Sequence, residues 1–269
     1  MTAPHPTRRA AIAALSAAAG SLLAGCADSS TPIAALPGGT PAPGDPSPSA
    51  SATPSPARPT PTPVHFPSDY VIPAAQGGLA PVITRVATKQ PVVFLTIDDG
   101  ATKHPESLAL LEEHGYPATL FLTKSAMGDN PGFFKGFAER GDHVQDHTIS
   151  HDTTMSTKPY AYQLGEIKGM KDYIATTYGT APTLFRPPGG AYSAAMRKAV
   201  ADAGLKAIID WEAKANAGSM QYQYGSSLRP GDIVLMHFRP EFAADLAAFR
   251  AAHLAAGLTV VRLEDFIGA

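Results

Sequence analysis

From Pro91 onward, short and continuously apolar runs alternate with longer stretches whose apolar positions recur every three to four residues. The short runs have the length of strands, and the longer stretches have the period of helices. Pro91 to Ile97, "PVVFLTI", reads as a buried strand, and the pattern then predicts a helix over 104–114 that stops at Gly115. A second strand is expected over 118–123, a helix over 131–140 stopped by Gly141, and a short strand over 143–146. A long helix over 159–178 follows, with Tyr162, Ile167, Met170 and Ile174 on its apolar side. Strands over 183–186 and 205–211 bracket a helix over 193–203 that closes at Gly204. The turn Arg229-Pro230-Gly231 leads into a strand over 232–237. A helix over 241–256 then stops at Gly257, before a last strand over 258–261. Such alternation predicts an α/β fold with about seven mainly parallel strands, closed as a barrel or left open.

Parallel sheets carry their chemistry at the carboxyl ends of the strands, and the unusual polar residues fall there. Asp98 and Asp99 follow the first strand, His147 the third, Arg186 ends the fourth, Asp210 the fifth and His237 the sixth. Two adjacent carboxylates at the end of a buried run are costly unless something compensates them. The segment "DHTISHDTT" offers His147 and His151, spaced so that both imidazoles can reach one cation from a helical turn or a tight loop. Two histidines and one carboxylate of the doublet form a ligand set that leaves positions open for water and substrate. The cation would keep that aspartate ionised, and the other would be free to handle a proton.

Four segments in order, "TIDDG", "HTISH", "RPPGG" and "LMH" at Leu235 to His237, resemble the motifs of the polysaccharide deacetylase family, also called carbohydrate esterase family four. The resemblance runs from Pro91 to the C-terminus. It implies a distorted (β/α) barrel and removal of N- or O-acetyl groups from chitin, peptidoglycan or xylan. Carried over by motif, Asp98 is the general base that activates the attacking water. Asp99, His147 and His151 hold a divalent metal, usually zinc. Arg186 orients Asp98, the backbone N–H of Gly189 donates to the oxyanion, and His237 protonates the leaving group. The fourth motif departs from the family pattern, because only "IDWEAK" stands in its place. Asp210 either orients His237 or is a strand-end residue without catalytic duty, and Trp211 either lines the acetyl pocket or packs in the core. Ala101 replaces the proline that commonly continues the first motif. Tyr222 and Tyr224 are sugar-stacking edges or helix-surface packing. His104, His114, His143 and His253 have no partner legible in the sequence, and strand packing accounts for His143.

The N-terminal part changes the setting rather than the chemistry. "TRRAAIAALSAAAGSLLAGC" has paired arginines, an apolar run and small residues before Cys26, the layout of an export signal over 1–26 of twin-arginine and lipoprotein type. Its apolar run is short for a membrane span, which needs ~20 residues. Cys26 is the only cysteine, so the expectation is a lipid anchor at Cys26 and a fold without an internal disulfide. Residues 27–70, rich in Pro, Ser and Thr, read as a disordered tether, and 71–269 as the catalytic domain. The net charge is −2, and losing Arg8 and Arg9 would make it more negative. That argues against nucleic acid as a partner. The expected partners are an acetylated polysaccharide and, through the anchor, a membrane; no protein partner is implied. The alternative to an enzyme is a carbohydrate-binding lipoprotein with a vestigial site, for which the irregular fourth motif is the support.

Overall fold

The computed structural model describes residues 66–269; the expected signal, Cys26 and most of the expected tether lie outside the described residues. Packing begins in the last residues assigned to that tether. Phe66 and Tyr70 lie against buried apolar side chains, and Thr88 donates a hydrogen bond to Asp69.

One sheet contains β1 (Val82–Ile83), β2 (Val92–Asp99), β3 (Thr119–Leu122), β4 (His143–Asp146), β5 (Leu184–Phe185), β6 (Ala207–Ile209), β7 (Ala213–Asn216), β8 (Ser219–Tyr222), β9 (Ile233–His237) and β10 (Thr259–Val260). The helices are α1 (Glu106–His114), α2 (Lys124–Met127), α3 (Lys135–Arg140), α4 (Tyr160–Tyr178), α5 (Ala194–Asp202), α6 (Phe242–Ala255) and α7 (Leu263–Ile267). The strand order is β1-β6-β5-β4-β3-β2-β9-β7-β8, with β10 beside the start of β2. Every pairing of named strands is parallel except the β7–β8 hairpin. The sheet curls into an incomplete barrel with helices outside it.

β2 shows why its sequence is apolar throughout. Val92 and Phe94 join Phe121, Leu184, Ile209 and Ile233 inside the barrel, whereas Val93, Leu95 and Ile97 join Leu111, Leu122 and Phe249 beneath the helices. Both faces are covered, so both alternating sets are apolar. By the same period of two, Thr96 and Asp98 continue the inner row. α7 closes the opposite end with Leu263, Phe266 and Ile267, and the Phe266 ring lies 5.4 Å from that of Phe94.

Several elements differ from the pattern-based expectation. The helix expected over 131–140 begins as a 3₁₀ turn at Pro131–Phe134 and is α-helical only from Lys135. The strands expected over 205–211 and 183–186 shrink to three and two residues. Neither β1, α7 nor the β7–β8 hairpin was expected. The hairpin turn uses Ala217 and Gly218, both at positive φ (51° and 71°). Two positive φ values are the signature of a tight hairpin, but alanine in the first place hides it from composition. Tyr222 therefore stands in a strand and not on a helix surface. No helix among the described residues is long and apolar enough to cross a membrane.

Candidate active site

The inner row of β2 ends at Asp98, and its neighbours in the sheet bring the rest. Asp98 pairs in register with His237 of β9. Arg186, directly after β5, is fully buried and reaches across the barrel, 88 residues along the chain, to donate from Nη1 to Asp98 Oδ1 at 2.6 Å. The same Nη1 donates to Thr96 Oγ1 at 2.8 Å, Nε to the Ile209 carbonyl at 3.2 Å and Nη2 to the Asp210 carbonyl at 3.4 Å. The guanidinium lies over the Phe121 ring, 4.2 Å from its centre. A charge this deep is tolerated because nearly every donor has an acceptor.

His147 follows β4, and its Nδ1–H donates to the Arg186 carbonyl at 2.8 Å, which turns Nε2 toward the aspartates. Nε2 is 3.7 Å from Asp98 Oδ2 and 3.5 Å from Asp99 Oδ1, and His151 Nε2 is 3.2 Å from the same Asp99 oxygen. The sequence-predicted ligands Asp99, His147 and His151 each offer an atom within 4.8 Å of the others. Asp99 Oδ1 is buried and lacks a hydrogen bond of acceptable geometry although two imidazole nitrogens face it. A buried oxygen aimed between two ring nitrogens fits a shared cation better than a hydrogen-bonded cluster does. Burial opposes ionisation of Asp99, but the imidazoles of His147 and His151 facing it outweigh that and hold the carboxyl well below its usual range. Asp99 in turn raises His151.

The H-x3-H spacing is realised on a loop, not a helix, with Thr148 and His151 at φ 73° and 58°. The charges of Asp98, Asp99 and His147 act on His237, whose pKa is lowered by burial against the pull of the aspartates. Gly189 has φ 66° in the Pro188–Gly190 turn. A Cβ on neighbouring Gly190 would stand 2.8 Å from Trp211 Cη2 and 3.2 Å from Asp210 Oδ1, so Trp211 and the Asp210 carboxylate are pressed against that turn. Trp211 also packs against the inner cluster. Asp210, Gly189 and His237 thus border the same end of the barrel as the acidic doublet.

Other residues singled out in the sequence take structural partners. His253 donates from Nδ1 to the Leu258 carbonyl at 2.8 Å and meets the Tyr116 hydroxyl at 2.6 Å, an internal structural pair. Tyr224 is 70% exposed and carries the Arg229 guanidinium over its ring. Thr96 and Phe121 escaped the sequence reading. A lone threonine two positions before Asp98 in an otherwise apolar run was the available signal for the first.

The family described as Polysaccharide deacetylase matches residues 85–208. A relative from Streptomyces coelicolor, itself uncharacterized, is 37% identical over 195 residues covering 70% of this chain and 78% of its own. The chain belongs to the polysaccharide deacetylase family. Another relative of this deacetylase family member, the peptidoglycan-N-acetylglucosamine deacetylase of Bacillus cereus, is 28% identical and covers 58% of this chain and 76% of its own. The solved structure of a CE4 family pseudoenzyme from Bacillus anthracis shares the fold with a TM-score of 0.60 at 21% identity, covering 69% of this chain and 68% of that one. The family match stops before Asp210, Trp211 and His237, whose placement rests on the geometry above.

Proposed function

We propose that this deacetylase family member is a metal-dependent hydrolase that removes N- or O-acetyl groups from a polysaccharide, such as peptidoglycan or a chitin-type glycan, at the cell envelope. One observation carries the reading: the orphaned Asp99 Oδ1 faces two imidazole nitrogens while Asp98, beside it, is tied to Arg186 through Oδ1. Asp99, His147 and His151 would hold the divalent cation, and two nitrogens with one carboxylate suit zinc. Such an ion, when bound, supplies Lewis acidity at the acetyl carbonyl and lowers the pKa of water.

The chain's own groups do the rest. Arg186 holds Asp98 by Oδ1, leaving Oδ2 on the side of His147 to accept the proton of the attacking water. The Gly189 N–H donates to the oxygen on which charge develops, an interaction worth about 3 kcal/mol. His237 delivers a proton to the departing nitrogen or oxygen. The names of relatives that act on peptidoglycan and on chitooligosaccharides support the glycan class. The leader and Cys26 support export and lipid anchoring on the outer face of the cell membrane, or secretion, with the Pro-rich segment as a spacer.

The test is acetate release from chitin oligomers, peptidoglycan fragments and acetyl-xylan. EDTA or dipicolinate abolishes turnover, and zinc or cobalt restores it. Asp98→Asn retains metal and loses turnover, whereas His147→Ala loses both. Turnover in metal-free protein overturns the mechanism. Stoichiometric glycan binding without acetate release, by protein that holds metal, establishes a binding lipoprotein instead.

A further inference from the structure

The loop that presents both imidazoles runs through backbone that resists it. Thr148, a β-branched residue, sits at φ 73°, a region that side chains other than glycine's rarely occupy. The carbonyl of Thr148 accepts from Thr123 Oγ1 at 2.8 Å and from the Lys124 N–H at 3.3 Å, and the Ile149 carbonyl accepts from the Ser125 N–H at 2.8 Å. Thr148 Oγ1 accepts from the His151 N–H at 3.1 Å. The Thr148 N–H, directly after His147, is bound by Asp146, whose Oδ1 accepts it at 2.9 Å. Ile149 is then wedged against α4 at Gly169, where a Cβ would stand 2.4 Å from Ile149 Cδ1.

Asp146 is an expensive way to end a strand. It is fully buried, and its Oδ2 has no hydrogen-bond partner among the described residues. β4 alternates: Gln145 and His147 point to the interior groups Glu264 and Asp98, whereas Val144 belongs to the layer under the helices. Asp146 falls in that second layer, which also holds Val144, Met170 and Ile174. Packing alone would favour an aliphatic side chain there. We infer that Asp146 is a positioning residue of the metal site: by binding the Thr148 N–H it holds the left-handed turn that aims His147 and His151 at one point. The inference rests on the proposed metal dependence, and it assigns no contact between Asp146 and the ion.

The experiment measures Zn2+ binding to the full chain by competition with a chromophoric chelator, together with amide exchange at Thr148. Asp146→Ala binds Zn2+ roughly 10- to 100-fold more weakly than wild type, and its Thr148 amide exchanges faster. Asp146→Asn keeps the Oδ1 acceptor and stays within about threefold, since what matters is the bond to the turn. Should Asp146→Ala fail to fold, Asp146→Val gives the position the aliphatic character of Val144, and the same weakening is expected. Equal Zn2+ binding by wild type and the Ala or Val variant overturns the inference, as does an Asn variant as weak as Ala. Wild-type protein that binds no Zn2+ sinks the proposed function and this inference with it.

Discussion

Replacing Arg186 by methionine removes the charge while keeping a stem of similar length. Arg186 is 0% exposed and Asp98 is 2% exposed, with Nη1 and Oδ1 2.6 Å apart. Removing one partner of such a pair strands the other charge in a water-poor interior, which costs about 3–5 kcal/mol. The acceptors on Thr96, Ile209 and Asp210 lose their donor as well. For a domain of this size, each kcal/mol lowers the melting temperature by about 2–4 °C, so a fall on the order of 10 °C is expected. The double variant Asp98→Asn/Arg186→Met removes the stranded charge and recovers at least half of the lost stability, because a buried pair replaced as a unit costs little. Thermal unfolding followed by far-UV circular dichroism at pH 7 in chelator-treated buffer measures both. If Arg186→Met unfolds at the wild-type midpoint, or if the double variant is no more stable than the single one, the buried pair is not what compensates the Asp98 charge.

Glu264 in α7 is fully buried between Thr119 Oγ1 (2.6 Å) and Gln145 Nε2 (2.9 Å), and burial pushes its pKa from 4.5 up to about 7. The folded state therefore keeps a proton that the unfolded chain releases, so this group's contribution is fully present below about pH 4.5 and is lost as pH rises to about 7. The loss is about 3 kcal/mol at most. Glu264→Gln flattens the slope, and urea midpoints at pH 5 and pH 8 compare the two proteins; parallel slopes refute the assignment. Gly231 has φ 82°, and a Cβ there would stand 1.9 Å from the Val86 carbonyl oxygen, where the chain after β1 meets the start of β9. Gly231→Ala is expected to cost more than about 4 kcal/mol, read as insoluble expression or a collapsed melting temperature; wild-type stability would contradict it. Gly190→Ala drives a methyl into Trp211, the only tryptophan, so its emission shifts and acetate release falls by roughly tenfold or more. Unchanged fluorescence and turnover would show that the turn has room to move.

The amino-acid sequence by itself determined the alternation of strands and helices and the register of unusual polar residues at the strand ends. Apolar period and glycine stops are local consequences of burial and backbone hydrogen bonding, as in the run Val92 to Ile97 and the left-handed Gly115 and Gly141. Signals failed where geometry broke the local rule. Ala217 occupies a turn position that favours glycine or asparagine, and β1 has only two residues, too few to show a period. The ligand trio and the acidic doublet were legible as residues, but their arrangement was not. Spacing alone allowed His147 and His151 either a helical turn or a tight loop, and tertiary structure selected the loop, held from Asp146, Thr123 and the Arg186 carbonyl. Which aspartate meets the imidazoles and which meets the arginine depends on a barrel interior that brings β2 against a residue 88 positions away. Sequence records the periodicities of single elements; the charges that compensate Asp98 and Asp99 come from other strands, and only closure of the sheet brings them within a few ångströms.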